Sequence, residues 1–283
     1  MKFEIEAADF NLEATLESGQ VFGFTKHAVK LYRGAIDGFP LTLWQSSNTL
    51  FVDVDSGRSD WAGRLSNYFD LERDLSPVYQ ILSERESLGE IVEEFRGLCL
   101  IRQDSWEALA CFIISSNNNV KRIQGIWRNL SARLGETGTT FPKPLEIARV
   151  HERTLRELGL GYRAPYLLRT AQFVSANPVS LELIRRANYE EAKTRLLQFP
   201  GIGEKVADCV LLYGFQRYEA FPVDVWILRV MRQLYFKGRS VSEEKIRRFG
   251  QKRWGLQAGY VQQYLFHGAR RGFFSREALC LTK

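Results

Sequence analysis

Two residues nineteen positions apart carry the chemistry this sequence could perform. Lys205 stands in QFPGIGEKVADCVLL, directly after a tight glycine pair, and Asp224 stands in AFPVDVWILRV. A lysine at a helix start meets the positive end of the helix dipole, which favours the neutral amine, and burial pushes the same way. A neutral amine is a nucleophile suited to attack on carbon and to Schiff-base formation. A carboxylate beside it can stabilise a cationic, oxocarbenium-like centre. Each residue also has a plain structural use. The lysine could be exposed and touch a phosphate, and the aspartate could only N-cap the helix after Pro222.

The turn before Lys205 is equally open. Pro200 disfavours helical geometry at Phe199 and so ends EEAKTRLLQF. Gly201 and Gly203 can adopt dihedrals closed to other residues, and Ile202 between them is an apolar anchor. The N–H groups that open the next helix have no partner within it, so they can hold a phosphate oxygen without sequence selectivity. A helix–helix connection without any ligand would use the same residues. The Gly-Lys-Ser/Thr ending of a nucleotide-binding phosphate loop is absent.

The rest of the chain must position these groups. Its 283 residues allow one large domain or two modest ones, and a 45% hydrophobic composition supports a core. Lys and Arg total 39 against 33 Asp and Glu, a net charge of +6. That mild excess permits a polyanionic partner without requiring one. Cys99, Cys111, Cys209 and Cys280 lie far apart, as do His27, His151 and His267, with no metal-ligand spacing. No metal and no other cofactor is therefore expected. The acidic start MKFEIEAADF is unlike a signal peptide, and no apolar run reaches transmembrane length. A soluble intracellular protein in a reducing compartment is expected, without a membrane partner, in the cytoplasm or nucleoid if the source is prokaryotic.

The pattern along the chain predicts an α+β fold. FTKHAVKLYRG, FPLTLWQSS and TLFVDVD are strand-like, and the alternation Leu50, Val52, Val54 predicts a sheet with one covered face. Helical patterning begins near Trp61 and continues through eight or more segments with short connections. DSWEALACFIIS opens with Asp104 and has Glu107 three places on, a capping-box-like start. These features predict an N-terminal antiparallel β domain over 1–92 and an all-helical region over 93–283, with the boundary between 85 and 100.

PGIGEKVADC followed by PVDV resembles the helix-hairpin-helix DNA glycosylase superfamily, and within it the bifunctional, lysine-bearing 8-oxoguanine DNA glycosylases. The resemblance covers nearly the whole chain, since TLESGQVF and YFDLERDLSPVY are similar to the N-terminal signatures of that branch. It implies that Lys205 is the nucleophile and Asp224 the essential carboxylate. It implies that Gln262 bonds the pairing edge of the oxidised base, with Phe266 and Cys209 on its two faces. The carbonyl of Gly19 would sense the hydrogen that 8-oxoguanine carries on N7 and guanine lacks. CFIISSNNNVKRIQGI implies that Asn117 fills the gap left by the extruded base and that Arg122 reads the cytosine opposite. LGLGYRAPYLLR adds Tyr162 as a wedge and Arg163 as a second cytosine reader. Gly201 and Gly203 belong to the phosphate-binding hairpin. The implied partner is duplex DNA containing 8-oxoguanine, bound by a monomer. Two positions depart from the family pattern: Gly23, where an arginine is frequent, and Trp226, where a histidine is frequent. A glycosylase for another damaged base, or a noncatalytic DNA binder, are the alternatives.

Overall fold

A computed structural model describes residues 1–274; Cys280 lies outside the described residues. Five antiparallel strands form one sheet in the order β1-β5-β4-β3-β2. They are β1 (Lys2–Glu6), β2 (Thr25–Ala28), β3 (Leu31–Ile36), β4 (Phe39–Ser46) and β5 (Thr49–Val54). Register places Tyr32, Leu43, Val52 and Phe3 side by side across the sheet. Leu50, Val52 and Val54 are all buried, so the predicted alternation does mark the covered face. Two elements in this region were not predicted. β1 adds an edge to β5, and a short helix, α1 (Leu12–Glu17), interrupts the strands, N-capped by the Asn11 side chain.

Helices follow from Trp61 onward, as predicted. They are α2 (Trp61–Phe69), α3 (Ser76–Ser83), α4 (Glu86–Glu94), α5 (Ser105–Ile114), α6 (Val120–Leu134), α7 (Pro144–Ala148) and α8 (Glu152–Leu155). The chain then forms α9 (Ala164–Ala176), α10 (Ser180–Arg186), α11 (Tyr189–Leu197), α12 (Glu204–Phe215), α13 (Val225–Tyr235), α14 (Glu243–Trp254) and α15 (Ala258–Arg271). Two of them are central. Every residue of α12 from Val206 to Phe215 is buried, and so is every residue of α5 except Glu107. A helix enclosed on all sides must be apolar all round, and these two sequences are nearly so. Gly214 lets them approach: a Cβ there would stand 2.9 Å from that of Ala108. The rings of Phe112 and Tyr213 stack across the contact at 5.1 Å.

The start of α5 is half a capping box. Asp104 accepts a hydrogen bond from the Glu107 N–H at 2.9 Å, as predicted. The Glu107 side chain does not return to it and instead accepts from the Trp127 indole at 2.8 Å, tying α6 to α5.

Two buried aspartates fix the remaining packing. Asp70 caps α2 in a left-handed conformation and is pinned by Arg73, Arg102 and the hydroxyls of Tyr218 and Tyr260. It thereby joins α2 to α15 and to the segment before α13. Asp208, fully buried in α12, pairs with Lys193 of α11 at 2.9 Å and Arg247 of α14 at 2.6 Å. Glu204 closes the same cluster at 2.8 Å and 3.0 Å. A buried carboxylate is tolerable only when paired and hydrogen-bonded in this way.

Candidate active site

The turn between α11 and α12 is built as the glycine pair suggested at one position and differently at the other. Gly201 has φ +78°, a region closed to most residues, and a Cβ there would strike the Tyr166 ring at 2.6 Å. Ile202 is buried as the anchor. Gly203, in contrast, is extended at φ −101°, ψ −179°, which any residue adopts. Nothing lies within 4 Å of a Cβ placed on it, so neither dihedral nor crowding demands glycine. No side chain caps α12. Its first N–H groups therefore keep the anion-binding capacity of an open helix start.

Lys205 sits in the first turn of α12, half-buried, with Nζ 5.7 Å from the centroid of the Phe112 ring. Asp224 is the N-cap of α13 and accepts from the Ile227 N–H at 2.9 Å. The capping role and a place beside the lysine are thus compatible. Burial raises the Asp224 pKa above the ordinary carboxylate value, while the Ile227 N–H and the charge of Lys205 pull it back. Both residues line one cleft of about 640 Å³.

Gly19, Cys209, Gln262 and Phe266 line the same cleft. Cys209 follows Lys205 by one helical turn, and burial pushes its thiol up to about 11, opposed by Lys205. Gln262 and Phe266, one turn apart, share a face of α15. The Gln262 Oε1 is buried with no hydrogen-bond partner among the described residues. Gly19 has φ +85° and sits close to Phe266, whose ring would be 3.4 Å from a Cβ at that position.

The other expected residues lie elsewhere. Asn117, Arg122, Tyr162 and Arg163 are not among the cleft-lining residues, and neither are Gly201 and Gly203. Asn117 is exposed at the α5–α6 turn, in a left-handed conformation at φ +47°. The two asparagines that follow it line the cleft and have structural tasks. Asn118 donates to the Ile114 carbonyl at 3.0 Å, and Asn119 N-caps α6 through the Arg122 N–H. The Arg122 side chain is exposed. Arg163 is buried, with its guanidinium on backbone: Nε donates to the Ser116 carbonyl at 2.7 Å and Nη2 to the Asn117 carbonyl at 2.8 Å. The exposed Tyr162 ring lies 4.4 Å from that guanidinium and its hydroxyl donates to Ser116.

Among the cleft residues not anticipated as site residues are Phe112 beneath Lys205, Trp226 in the wall, and Arg270 over Phe266. Arg270 could have been found from spacing, since it continues the Gln262–Phe266 stripe by one turn. Trp226 was visible only as a departure from a pattern. Gly23, the other departure, has a spatial cause: a Cβ there would stand 2.8 Å from the Trp127 ring. Among the described residues no three His, Cys, Asp or Glu side chains group as metal ligands, and no helix is long and apolar enough to cross a membrane.

The chain matches two family models in succession. Residues 2–109 match the N-terminal domain of 8-oxoguanine DNA glycosylase, and residues 110–255 match the HhH-GPD superfamily base excision DNA repair protein. It is 33% identical to a protein of Methanothermobacter thermautotrophicus named "Probable N-glycosylase/DNA lyase", over 94% of this chain and 96% of that one. Among solved structures it is similar to the Clostridium acetobutylicum 8-oxoguanine glycosylase/lyase in complex with double-stranded DNA containing cytosine opposite 8-oxoguanine. The TM-score is 0.87 at 30% identity, covering 96% of this chain and 99% of that one. A 3-methyladenine DNA glycosylase from Archaeoglobus fulgidus, 24% identical, shares the fold at a TM-score of 0.78 over 97% of this chain and 99% of that one. Full-length similarity, both family models in order, and a five-stranded sheet leading into the helical core place this protein in the 8-oxoguanine DNA glycosylase family of the helix-hairpin-helix base excision repair superfamily.

Proposed function

We propose that this protein excises 8-oxoguanine from duplex DNA, preferentially opposite cytosine, and then cuts the strand as a lyase. The observation that carries this reading is the convergence of Lys205, Asp224, Cys209, Gln262, Phe266 and Gly19 on one cleft. A binder that only grips phosphate has no use for a base-sized slot with an amine and a carboxylate in it.

The target base must leave the stack before its glycosidic carbon can be reached. Phe266 and Cys209 hold its two faces, Gln262 bonds its pairing edge, and the Gly19 carbonyl accepts from N7–H. The C1′–N9 bond breaks and its electron pair departs with the base. Asp224 stabilises the positive charge that develops on the sugar, and Lys205 Nζ forms the new bond to C1′. Loss of a proton from that nitrogen and opening of the ring give a Schiff base. Removal of a C2′ proton then expels the 3′ phosphate by β-elimination. The hairpin at Gly201–Gly203 holds a backbone phosphate. On the other strand, Tyr162 wedges the stack, Asn117 fills the gap, and Arg122 and Arg163 donate to the acceptors of the unpaired cytosine. Arg163 must exchange its bonds to Ser116 and Asn117 to do so. A monomer suffices for an asymmetric lesion.

The test is a set of duplexes carrying 8-oxoguanine opposite each of the four bases, with products resolved before and after alkaline cleavage. Excision is expected to be fastest opposite cytosine, with strand cuts present before alkali. Inactivity on all four overturns the substrate assignment. Equal rates on all four remove the cytosine preference alone.

A further inference from the structure

Arg270 stands two turns beyond Gln262 on the cleft face of α15. Its guanidinium lies 5.4 Å from the centroid of the Phe266 ring. It is also close to Gly19, where a Cβ would stand 2.5 Å from Nη1. The only hydrogen bond it makes among the described residues is a long one, from Nη1 to the Glu17 carbonyl at 3.5 Å. The two buried arginines among the described residues are used differently. Arg247 is spent on two carboxylates and Arg163 on backbone carbonyls.

A guanidinium has five N–H donors and no acceptor. Enclosing it beside a ring, with one weak partner, has a cost that a ligand acceptor would offset. The slot therefore shows two complementary needs. Gln262 offers a buried, unpaired acceptor, and Arg270 offers unpaired donors. A planar group with N–H donors on one edge and a carbonyl oxygen on another satisfies both. Burial works against the Arg270 cation and lowers its pKa; Asp224 and Glu17 favour the cation, and Arg271 opposes it. The Asp224 field links it to the place where the glycosidic bond breaks.

We infer that Arg270 is a base-reading residue: its guanidinium donates to a carbonyl oxygen of the extruded base, on the edge that meets Gly19. This rests on the proposed excision reaction and adds a residue to it. When the C1′–N9 bond breaks, its electron pair leaves with the base and is shared onto that carbonyl oxygen. Arg270 meets the growing negative charge through a charge-assisted hydrogen bond and gives up no proton. Bases without a carbonyl on that edge gain nothing from it.

The test compares Arg270→Met with the wild-type protein, since methionine keeps an apolar stem over Phe266 and removes the charge. Single-turnover excision of 8-oxoguanine opposite cytosine is measured beside cleavage of the same duplex carrying a preformed abasic site, which has no base to read. Excision is expected to fall about tenfold to a hundredfold relative to abasic-site cleavage by the same variant, the size of one charge-assisted hydrogen bond. Arg270→Lys, which keeps the charge without the fork, should recover part of the loss. The inference is overturned if the two reactions fall together, which assigns Arg270 to the fold or to the Lys205 turn. It is also overturned if excision by Arg270→Met matches wild type. A wild-type protein that cuts abasic DNA but releases no 8-oxoguanine overturns the excision reading itself, so the two failures are distinct.

Discussion

The cleft around Lys205 and the turn between α5 and α6 treat their polar groups in opposite ways. In the cleft, Gln262 Oε1 has no partner among the described residues and Arg270 has one long hydrogen bond, with its guanidinium over the Phe266 ring. In the turn, whose Asn118 and Asn119 also reach the cleft wall, Asn118, Asn119 and Arg163 are bonded to backbone, while the exposed side chains of Asn117 and Arg122 make no hydrogen bond among the described residues. The first region is set for a ligand before one arrives. The second holds its own backbone together, and under the proposed function Arg163 must give up backbone bonds before it can engage a second strand. Groups already in place add their full interaction on binding, whereas an exchange subtracts what was given up. Lesion recognition is thus expected to be the stiffer of the two functions, and reading of the opposite base the more adjustable.

The largest test of the cleft removes its proposed nucleophile. Lys205→Gln should abolish borohydride trapping of a covalent complex while duplex binding persists, because the side chain is half-buried at a helix start outside the core. Trapping at the wild-type level would show that another amine attacks. Asp224→Asn comes next. The amide oxygen can still accept from Ile227, so the melting temperature should hold, while base release in single turnover should slow by about a hundredfold. The pH profile adds a second reading. Because burial raises the Asp224 pKa, the ionised form is lost at a higher pH than for an exposed aspartate, and excision should fall on acidification accordingly. The aspartate-dependent part of that fall should be missing from the asparagine variant.

Smaller effects sharpen the comparison on the other side. Arg122→Ala should narrow the preference for cytosine over adenine by about tenfold, roughly the value of one specific base contact, with stability unchanged. Arg163→Ala should also narrow that preference, but in addition lower the melting temperature and slow both duplexes, since it removes donors from the Ser116 and Asn117 carbonyls. An Arg163→Ala variant that melts like wild type but loses only the cytosine preference would break the contrast between the two regions. The smallest effect lies beneath the turn. Glu107, which ties α6 to α5 through Trp127, has its pKa pushed up to about 7 by burial, with the indole N–H opposing. The folded protein therefore holds this proton more tightly than the unfolded chain. Stability that is full at low pH is lost as pH rises from the ordinary glutamate range to about 7. Glu107→Gln keeps the acceptor without the charge. It should gain on the order of 1 kcal/mol over wild type at pH 8, and the gap should close toward acid pH in denaturant melts.

Local features were legible in the sequence where one short stretch determines them. The left-handed Gly201, the buried Ile202, the Asp224 cap and the one-faced strand β5 all follow from neighbours a few residues away. The same kind of argument failed at Gly203, which is extended, and at Glu107, whose side chain answers a tryptophan twenty residues on. β1 was missed because KFEIE carries only two apolar residues, both half-buried at a sheet edge, against three charged ones. What local reasoning could not reach depends on distant contacts. Arg270 meets the Glu17 carbonyl across 253 residues, and Arg163 meets the Ser116 carbonyl across 47. The family resemblance brought Lys205, Asp224, Gln262 and Phe266 to attention together, but not Arg270, nor the way Arg163 is tied to backbone.

The two buried aspartate clusters bear on how this protein behaves in salt. Asp208 is fully buried and Asp70 nearly so, each bound to two cations within the protein. Mobile ions screen such enclosed pairs far less than exposed ones. Phosphate contacts respond in the opposite way, because binding releases counterions and affinity drops steeply between about 50 and 200 mM salt. Raising the ionic strength should therefore detach the protein from DNA well before it disturbs the packing of α11, α12 and α14. A salt series on this molecule measures how many phosphates it holds, with little contribution from any loosening of the fold.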